Sequence, residues 1–443
     1  MNILGLGGHG AAWRLGESPH TSLIDYNYFV NIAQISERGT LDAIFLADGP
    51  ALGGRVGRAP AGRLEPMVLL TAVVLATKHI GVIATASTTY NSPFNLARRM
   101  ASIDHMSGGR AAWNAVTNAG DAAALNFGLA GAPLHVDRYD RAAEFLEVTN
   151  KLWDSWEDDA IIGDHVKGVF ADDNKVHPID HVGKHFSVKG PLNLPRSPQG
   201  RPVIVQAGSS EGGKALGSRF ADAIFTAQTT LTDGQNFYNE MKTRAREWGR
   251  NPDHLRIMPG LSTVIGSTEA EAIARAEALD AFSAGRRGDG DGIGAQIAAR
   301  IGIPLAELDL DAELPWDRLG DLTPPERGSH GFFEAQINLA RRERLTVRQL
   351  AKRIRSGHRL VVGSAEQVAD TMVEWFLNGA ADGFNIMPEM FPSGAQIFVD
   401  HVVPILRKRG VFRHEYTGKT LRDHLGVPRP ESQYAGKARI TVP

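Results

Sequence analysis

The amino-acid sequence predicts an α/β fold, namely a (β/α)8 TIM barrel that carries insertions. Short apolar runs alternate with helical patterns along the chain, which indicates βαβ units and a parallel sheet. Eight such runs are present, as a closed barrel requires. The chain has 443 residues, so roughly 200 exceed the length of about 250 that is typical of a barrel. A doubly wound open sheet also fits the alternation.

The predicted strands are the apolar runs themselves. The first four lie at residues 3–6, 43–47, 80–86 and 111–117, and the last four at residues 202–206, 223–225, 261–265 and 383–387. Because each run is short and bounded by polar or glycine residues, a buried strand is the expected structure.

Helical spacing of apolar residues separates these runs. Between residues 24 and 35, isoleucines and a tyrosine recur every three or four positions, which predicts a helix. Pro66 and Pro93 stand where a helix can begin, because proline is tolerated in the first helical turn. Gly108 follows the second of these helices as a stop signal. Residues 142–153 carry the amphipathic pattern of a further long helix.

Three stretches depart from the alternation and are predicted as additions to a single barrel domain, residues 1–443. Residues 157–201 are rich in Asp, His, Gly and Pro and predict a loop with short strands. Residues 268–362 have helical ends and a Gly/Asp/Arg centre at 285–294, which we predict to be mobile. Residues 404–443 are basic and mixed in character and predict an extended arm.

Composition and charge argue against several classes of function. The 48 Lys and Arg residues nearly balance the 50 Asp and Glu residues, so the basic face of a nucleic-acid-binding protein is not expected. The absence of cysteine excludes disulfides, cysteine-ligated zinc and thiol nucleophiles. The longest apolar run, residues 67–77, is shorter than the ~20 residues of a membrane span. The N-terminus shows neither the basic region nor the apolar core of a secretion signal. We therefore expect a cytoplasmic protein without nucleic-acid or membrane partners.

Residues 5–10 match the dinucleotide-binding pattern G-x-G-x-x-G, and Asp25 lies about 20 residues further on. The context contradicts this interpretation. Trp13, Arg14 and Pro19 stand where the helix should follow. Asp25 lies at the start of a helical pattern and not at the end of a strand. A glycine-rich loop after the first barrel strand is the favoured interpretation.

Three histidines follow one another at a spacing of four residues: His177, His181 and His185. On a helix they would share one face and could hold a metal ion. Pro178 and Gly183 interrupt any such helix, so we interpret the spacing as accidental. No metal site is expected.

Polar residues follow several of the predicted strands. They are Asp48, Ser87, Thr88, Thr117, Asn118 and Gln206. Barrel active sites lie at the carboxyl ends of the strands, so we expect these side chains to converge on one site. Any one of them alone is equally well explained as a loop cap.

The segment from Gln206 to Gly213 follows a predicted strand and leads into a helix. Its small residues allow backbone N–H groups to approach an anion, and the helix N-terminus favours negative charge. We therefore predict a phosphate site in this segment. A plain helix N-cap at Ser209 or Ser210 would give the same sequence.

Several longer motifs resemble those of a known family. They are residues 11–14 (AAWR), 45–48 (FLAD), 95–99 (NLARR), 103–110 (IDHMSGGR), 113–117 (WNAVT), 152–156 (LWDSW) and 206–213 (QAGSSEGG). With these motifs the chain resembles the bacterial-luciferase-like flavin monooxygenases. Within them it resembles the branch of the nitrilotriacetate monooxygenase oxygenase component and the sulfone monooxygenases. The resemblance spans nearly the whole chain.

This resemblance implies a TIM barrel that binds reduced FMN as a diffusible substrate, supplied by a separate NAD(P)H:FMN reductase. In the family the reduced flavin takes up O₂ to form a C4a-peroxyflavin, which oxygenates a small organic substrate. The flavin carries the redox chemistry, so the lack of cysteine is no obstacle. The family habit also implies a homodimer or a homotetramer.

The resemblance places one group of residues near the flavin ring. Asp48 matches the acid after the second strand, and Ser87 and Thr88 match positions after the third. Thr117 and Asn118 match the end of the fourth strand. The family usually has serine at the position of Asn118, so the contact made by this residue is in doubt.

A second group matches the family's phosphate site. His135 and Tyr139, four residues apart, match a pair in which the Tyr hydroxyl reaches the FMN phosphate. Ser209 and Ser210 would complete this site, in agreement with the anion-binding segment described above.

The resemblance also implies a catalytic, substrate-facing side. His9 and Trp13 would line it, and residues 285–294 would form a lid over the pocket mouth. His330 would reach the pocket from the same insert, although a surface loop histidine explains it equally well. Carboxylate substrates would need cations here, such as Arg14 or Arg55.

The substrate itself is not predicted, because substrate-facing loops vary within the family. Two other functions remain open at this point. One is a flavin- or phosphate-binding barrel without oxygenase activity, and the other is a metal-dependent barrel hydrolase.

Overall fold

The computed structural model describes residues 1–52, 56–57, 60–118, 120–284, 297–298, 301, 303–319, 330–355 and 357–435. Its strands are β1 (Ala43–Leu46), β2 (Gly81–Ser87), β3 (Ala111–Val116), β4 (Ile161–Asp164), β5 (Val169–Ala171), β6 (His181–Val182), β7 (Ser187–Val188), β8 (Val203–Ala207), β9 (Ala223–Thr226), β10 (Arg256–Gly266), β11 (Ile354–Arg355), β12 (His358–Ser364) and β13 (Asn385–Pro388).

The α-helices lie mainly between the barrel strands. They are α1 (Tyr26–Arg38), α2 (Pro66–Leu75), α3 (Pro93–Ser107), α4 (Asp121–Asn126), α5 (His135–Trp153), α6 (Glu211–Phe220), α7 (Leu231–Glu247), α8 (Glu269–Ala284), α9 (Trp316–Leu319), α10 (His330–Glu343), α11 (Val347–Arg353), α12 (Ala365–Leu377), α13 (Ser393–Ile397), α14 (Val403–Lys408) and α15 (Leu421–Leu425).

The central sheet closes into a barrel. β1, β2, β3, β8, β9 and β10 lie side by side in this order, and every neighbouring pair is parallel. β13 pairs in parallel with β10. The N-terminal segment fills the last gap, because the backbone N–H of Asn2 donates to Ile386 (2.8 Å) and that of Ile3 donates to Phe45 (2.9 Å). The predicted (β/α)8 barrel is confirmed, and an open sheet is excluded.

The first and seventh strands differ from their predicted bounds. The run at residues 3–6 leaves the sheet early, because Gly5 adopts a left-handed φ of 59°. β10 begins at Arg256, five residues before the predicted start, and its far end pairs with β12 from Leu261 to Gly266. β12 begins within the predicted insert 268–362 and ends two residues beyond it, so the insert adds a parallel strand to the sheet.

The helix boundaries follow the predicted caps. Glu65 precedes α2, and its side chain accepts a hydrogen bond from the backbone N–H of Val68 (2.8 Å), with Pro66 as first helical residue. α3 starts at Pro93 and ends at Ser107, and Gly108 caps it with a left-handed φ of 69° that suits glycine. Local chemistry was therefore sufficient to predict where these helices begin and end.

The additions to the barrel have structures of their own. Residues 157–201 contain two antiparallel hairpins, β4–β5 and β6–β7. The described residues between 297 and 350 contribute a hydrophobic cluster separate from the main core, built around Leu314, Leu339 and Leu350. Residues 285–294, predicted as a lid, lie outside the described residues. No helix in the described ranges is long and apolar enough to cross a membrane.

The C-terminal segment returns to the amino-terminal end of the barrel. Leu421 of α15 is completely buried and packs with Phe45 and Val205 inside the barrel. Arg422 forms two 3.0 Å contacts with the carboxylate of Asp222, which precedes β9. The predicted arm is thus bound to the barrel over its described part.

Candidate active site

The first group of candidate residues lies at the carboxyl ends of β1 and β2. Asp48 and Ser87 line one cleft together with Thr85 and Tyr90. Parallel barrel strands end at the same face of the barrel, so residues that follow neighbouring strands are brought side by side. The structure therefore unites Asp48 and Ser87, as their positions in the sequence suggested.

Asp48 is half-buried in this cleft. Burial raises the pKa of its carboxyl group, although a hydrogen bond from the backbone N–H of Gly49 and the nearby guanidinium of Arg63 oppose the shift. The carboxyl group therefore takes up a proton more readily than that of an exposed aspartate. An acid with this property in a cleft is typical of catalytic sites.

Ser87 and Thr88 are both buried, but their hydroxyl groups differ in function. Ser87 Oγ accepts hydrogen bonds from the backbone N–H groups of Thr89 (3.1 Å) and Tyr90 (3.4 Å). Its own proton can be donated into the cleft. Thr88 Oγ1 instead donates to the carbonyl oxygen of Val116 (3.2 Å) and joins the ends of β2 and β3.

Thr117 and Asn118 follow β3. The carbonyl oxygen of Thr117 accepts a hydrogen bond from Thr89 Oγ1 (2.7 Å). Asn118 has a φ of 41°, in the left-handed region that asparagine tolerates better than most residues. Asparagine in place of the expected serine therefore suits this backbone. Its Oδ1 is buried and has no hydrogen-bond partner among the described residues.

Arg138 lies beside Asn118 and was not predicted. Its side chain is buried, and Nη1 donates to the carbonyl oxygen of Asn118 (2.6 Å), while Nε has no partner in the described part of the chain. Burial lowers the pKa of the guanidinium, which nevertheless remains charged at neutral pH. The sequence contains a signal for the burial of Arg138, because this residue precedes Ala142 by four positions and so shares the buried face of α5.

The residues predicted to bind a phosphate come together where α5 meets the start of α6. Tyr139 Oη lies 3.5 Å from Ser210 Oγ, and the His135 and Tyr139 rings are 4.6 Å apart between centroids. Ser210 caps α6, since its Oγ accepts from the backbone N–H of Gly213 (3.3 Å). The N-cap interpretation of Ser210 is therefore confirmed, and Ser209 precedes it, half-buried.

The glycines of this segment are required by close contacts. A Cβ atom at Gly212 would lie 2.9 Å from the Tyr139 ring and 3.2 Å from the His135 ring. Without side chains here, both aromatic rings reach the amino end of α6. The helix N-terminus, the Ser210 hydroxyl and the Tyr139 hydroxyl thus lie together and form a donor set that suits an anion.

Gln206 ends the series of strand-end residues. Its side chain is buried, Nε2 donates to the carbonyl oxygen of Ala207 (3.0 Å), and Oε1 has no partner in the described ranges. Asn118 Oδ1 and Gln206 Oε1 are thus unsatisfied acceptors at the carboxyl ends of the strands. Gln206 Oε1 faces helix α6, since a Cβ atom at Gly217 would lie 3.2 Å from it, whereas Asn118 Oδ1 is a candidate acceptor for the N–H and O–H donors of a bound cofactor.

His9 and Trp13 line a second cleft, together with Arg63. His9 is buried, and Trp13 is partly exposed on a short 3-10 helix, Ala12–Leu15. The glycine-rich loop before them lies against the end of β13, where a Cβ atom at Gly7 would come within 2.2 Å of the backbone of Glu389. The loop glycines therefore serve close packing, in agreement with the barrel-loop interpretation.

Helix α8 packs over this loop and forms two side-chain contacts with it that the sequence did not predict. His9 Nε2 lies 3.3 Å from Asp280 Oδ1, and Arg14 Nη1 donates to the carbonyl oxygen of Phe282 (2.5 Å). Arg14 thus points to α8 and does not line the His9 cleft. Arg55, the other predicted cation, lies outside the described residues, so Arg63 is the arginine placed in this cleft.

Arg275 of α8 forms a 2.6 Å ion pair with Glu389, which directly follows β13. Glu389 is almost fully buried, and this burial raises the pKa of its carboxyl group to about 7, although Arg275 opposes the shift. No local pattern identifies Glu389, because its burial arises from α8 packing over it.

Two further predictions concern histidines. His330 is the first residue of α10, and its side chain lies outside the description, so its contact with the pocket stays a prediction. His177, His181 and His185 bind three different carboxylates, Glu157, Glu144 and Asp140, at 2.8 to 3.0 Å. They do not converge, and the described residues contain no cluster of three metal-ligating side chains.

Comparison with known proteins agrees with this geometry. Residues 7–382 match the luciferase-like monooxygenase family. The chain is 44% identical over 437 residues to N-acetyl-S-(2-succino)cysteine monooxygenase from Bacillus subtilis (strain 168), covering 98% of this chain and 97% of the relative. It is also 44% identical over 444 residues to nitrilotriacetate monooxygenase component A from Aminobacter aminovorans, covering 97% and 96%.

Solved structures extend the comparison. EDTA monooxygenase from Chelativorans sp. BNC1 is 38% identical with a TM-score of 0.77, covering 96% of this chain and 97% of that one. A riboflavin lyase structure with modified FMN and riboflavin is 33% identical with a TM-score of 0.81, covering 96% and 94%. Extensive identity over both full lengths leads to one conclusion: the chain belongs to the luciferase-like monooxygenase family.

Proposed function

We propose that this chain is the oxygenase component of a two-component monooxygenase that uses FMNH₂ and O₂ to oxygenate a small organic substrate. One structural observation carries the proposal. The Tyr139–Ser210 pair, formed between the first turns of α5 and the turn after β8, and the Asp48–Ser87 cleft at the carboxyl ends of β1 and β2 lie at the same end of one barrel. The first offers an anion site and the second an acid beside a hydroxyl donor, as a flavin phosphate and a flavin ring require.

Phosphate binding is assigned to Tyr139, Ser209 and Ser210, with His135 holding the Tyr139 ring in place. The amino end of α6 adds its dipole and free N–H groups. Arg138, buried nearby on α5, supports an anion by its charge, although its hydrogen bond goes to the backbone of Asn118. The affinity of the site is therefore expected to depend on the hydroxyl groups as well as on charge.

The ring of the flavin is assigned to the Asp48 cleft. Reduced FMN supplies the electrons that activate O₂. Asp48 holds or releases a proton at its carboxyl group, and Ser87 Oγ donates a hydrogen bond into the cleft. Thr88 keeps the ends of β2 and β3 together, so its contribution is to position Ser87 beside the cleft. Such a site must also exclude water from the reacting flavin, because water promotes side reactions.

The substrate is assigned to the cleft of His9, Trp13 and Arg63. Two relatives that are 44% identical act, by their names, on carboxylated compounds, N-acetyl-S-(2-succino)cysteine and nitrilotriacetate. Among the described residues, Arg63 Nη1 forms one hydrogen bond, a long one to the carbonyl oxygen of Ala47 (3.3 Å), so its guanidinium can bind a carboxylate. We therefore propose a carboxylated small molecule as the substrate.

The proposal includes a partner and an assembly. An NAD(P)H:FMN reductase would supply FMNH₂, and the chain would act as a homodimer or homotetramer in the cytoplasm, where nicotinamide cofactors are available. Chemical crosslinking and light scattering would measure the assembly. Replacing the reductase by photochemically reduced FMN would test whether diffusion alone delivers the flavin.

Reconstitution is the deciding experiment. The protein, an FMN reductase, NADH, FMN and O₂ are incubated with N-acetyl-S-(2-succino)cysteine, nitrilotriacetate or dibenzothiophene sulfone, and oxygenated products are followed by mass spectrometry. Labelled ¹⁸O₂ should place one ¹⁸O atom in the product. Tight FMNH₂ binding without ¹⁸O incorporation from any substrate would favour a flavin-binding barrel that lacks oxygenase activity.

A further inference from the structure

We propose that the barrel holds a second small-molecule site at its amino-terminal end, for a neutral, mainly apolar compound with one hydrogen-bonding group. A cavity of about 310 Å³ lies there between the strands and the C-terminal segment. Phe45, Phe225 and Met258 line it from the strands, and Leu425 lines it from α15. This site goes beyond the proposed oxygenase function.

The cavity is separate from the candidate active site. Asp48, Ser87, Tyr139 and Ser210 follow the carboxyl ends of barrel strands, whereas the cavity includes Asp42, which directly precedes β1. In barrel enzymes the amino-terminal end usually serves stability and is filled by packed side chains. A large apolar space at this end is therefore unexpected.

The volume exceeds that of an ordinary packing defect. Protein interiors are packed as densely as organic crystals, with few voids larger than a water molecule. An apolar cavity of about 150 Å³ is sufficient to bind benzene. The cavity here has about twice that volume, so a single substituted ring or a short aliphatic chain fits.

His424 supplies the polar group. Its imidazole lines the cavity and is 6% exposed, yet neither ring nitrogen forms a hydrogen bond of good geometry with any described residue, although the backbone of Gly418 is near. Burial lowers the pKa of His424, with Arg413 acting in the same direction and Asp42 and Asp423 opposing. The neutral ring presents one donor and one acceptor to a ligand.

The charged residues of the lining are already paired. Asp42 binds Arg413, and Asp382 lies 2.9 Å from Lys242 and 3.8 Å from Arg256. Because these charges are neutralised by protein partners, a charged ligand would have no counter-ion in the cavity. The combination of paired charges, apolar walls and one imidazole selects a neutral compound with a single polar group.

The walls of the cavity are preformed. The backbone N–H of Leu421 donates to Gly109 (2.9 Å), and Arg256 Nε donates to the carbonyl oxygen of Leu425 (2.8 Å). Arg422 and Asp222 form the ion pair described above. α15 is therefore held against the barrel by contacts that do not fill the space beside it, and a ligand need not order the segment on binding.

The experiment uses 4-bromophenol and bromobenzene as matched probes, with and without the hydroxyl group. Bromine is located in soaked crystals by anomalous scattering, and affinities are measured in solution by calorimetry. We expect a bromine peak among Phe225, Met258 and Leu425. His424→Phe should weaken 4-bromophenol binding about 5- to 10-fold and change bromobenzene binding less than twofold.

A second variant tests the volume. Val411 lines the cavity, and Val411→Trp should abolish binding of both probes, whereas Val166→Trp on the fully exposed β4–β5 turn should not. Absence of bromine from the wild-type cavity, or bromine only at the carboxyl-terminal clefts, would overturn the proposal. If Val411→Trp does not fold, the bromine position in the wild-type crystal decides. No flavin or turnover enters these measurements.

Discussion

The imidazole of His9 lies 3.3 Å from the carboxylate of Asp280 and so joins the glycine-rich loop to helix α8. His9 Nδ1 accepts a hydrogen bond from the backbone N–H of Ala11 (3.0 Å). Its proton therefore resides on Nε2, which donates to Asp280. Both nitrogens are in use, so the orientation of a proposed catalytic histidine depends on the position of α8.

Replacement of Asp280 by leucine should mimic loss of His9. Asp280→Leu and His9→Ala should each lower product formed per NADH, and FMNH₂ affinity should remain within about twofold. Since Asp280 is 45% exposed, the contact is worth only about 1 kcal/mol, and we expect roughly a fivefold effect from Asp280→Leu. Product and NADH are measured together in the reconstituted system.

The double variant and a helix control complete this experiment. His9→Ala combined with Asp280→Leu should be no worse than His9→Ala alone, since both residues act through one contact. Glu277→Leu, exposed on the same helix, should leave the yield unchanged. A wild-type yield in Asp280→Leu would show that Asp280 does not position His9.

Tyr139→Phe tests the phosphate site. Removal of one hydroxyl that binds a phosphate should cost about 1–2 kcal/mol, or roughly 5- to 30-fold in FMNH₂ affinity. The rate at saturating FMNH₂ should change much less, because the hydroxyl lies away from the flavin ring. Anaerobic fluorescence titration measures the affinity. Tyr26→Phe, at a partly exposed ring on α1, serves as the control and should keep the wild-type affinity. If Tyr139→Phe binds FMNH₂ as tightly as this control, Tyr139 does not belong to the phosphate site.

Asp48→Asn tests the acid of the flavin cleft. Burial raises the pKa of Asp48, so its carboxylate should form only above the usual pH range of an aspartate. If turnover needs the carboxylate, the wild-type rate should fall as the pH decreases through this raised pKa. Asp48→Asn should lower the rate and lose that acidic limb. A variant with the wild-type rate and the same pH profile would exclude Asp48 from catalysis.

The barrel was predictable because its elements carry local patterns. The runs of β1, β2 and β3 are mainly apolar and are buried along almost their whole length, and Pro66 and Pro93 each begin a helix. Residues that follow strands could be assigned to one face, because all parallel strands of a barrel end together. The same rule brought Asp48 and Ser87 into one cleft without knowledge of any contact.

The contacts of α8 could not be predicted from local sequence patterns. His9 and Asp280 are 271 residues apart, and nothing local to either indicates the other. β12 was missed for a similar reason, since it reaches the sheet only through the extended end of β10. Arg138 differs, because its spacing of four residues from Ala142 is a local signal that it lies on the buried face of α5.

Arg63→Gln tests the carboxylated substrate. The guanidinium of Arg63 lines the His9 cleft, so its loss should raise the KM for nitrilotriacetate or N-acetyl-S-(2-succino)cysteine about 10-fold or more. The KM for a neutral sulfone should remain within twofold, which is the internal control. Equal changes for charged and neutral substrates would indicate a general effect on the loop and not recognition of a carboxylate.

Glu389→Gln tests the buried acid beneath α8. The pKa of Glu389 is about 7 in the folded chain and 4.5 as the ordinary value, so the folded state retains a proton that the unfolded state releases. This carboxyl group therefore reduces the free energy of unfolding progressively as the pH rises from about 4.5 to about 7, by up to about 3 kcal/mol. Glutamine cannot ionise, so the variant should gain stability relative to wild type between pH 5 and pH 8. Urea unfolding at both pH values measures the difference.

The sign of the stability difference between Glu389→Gln and wild type shows whether burial or the ion pair with Arg275 dominates the pKa of Glu389. If the Arg275 contact outweighed burial, the ionised form would be favoured, and Glu389→Gln would lose stability relative to wild type on the same rise in pH. Glu415→Gln, at an exposed position, should shift the urea midpoint equally at both pH values. α8 carries Arg275 and Asp280 on neighbouring turns. If ionisation of Glu389 at high pH destabilises the packing of α8, the contact between Asp280 and His9 should be affected as well, and the wild-type protein should form less product per NADH. That loss should be smaller in Glu389→Gln.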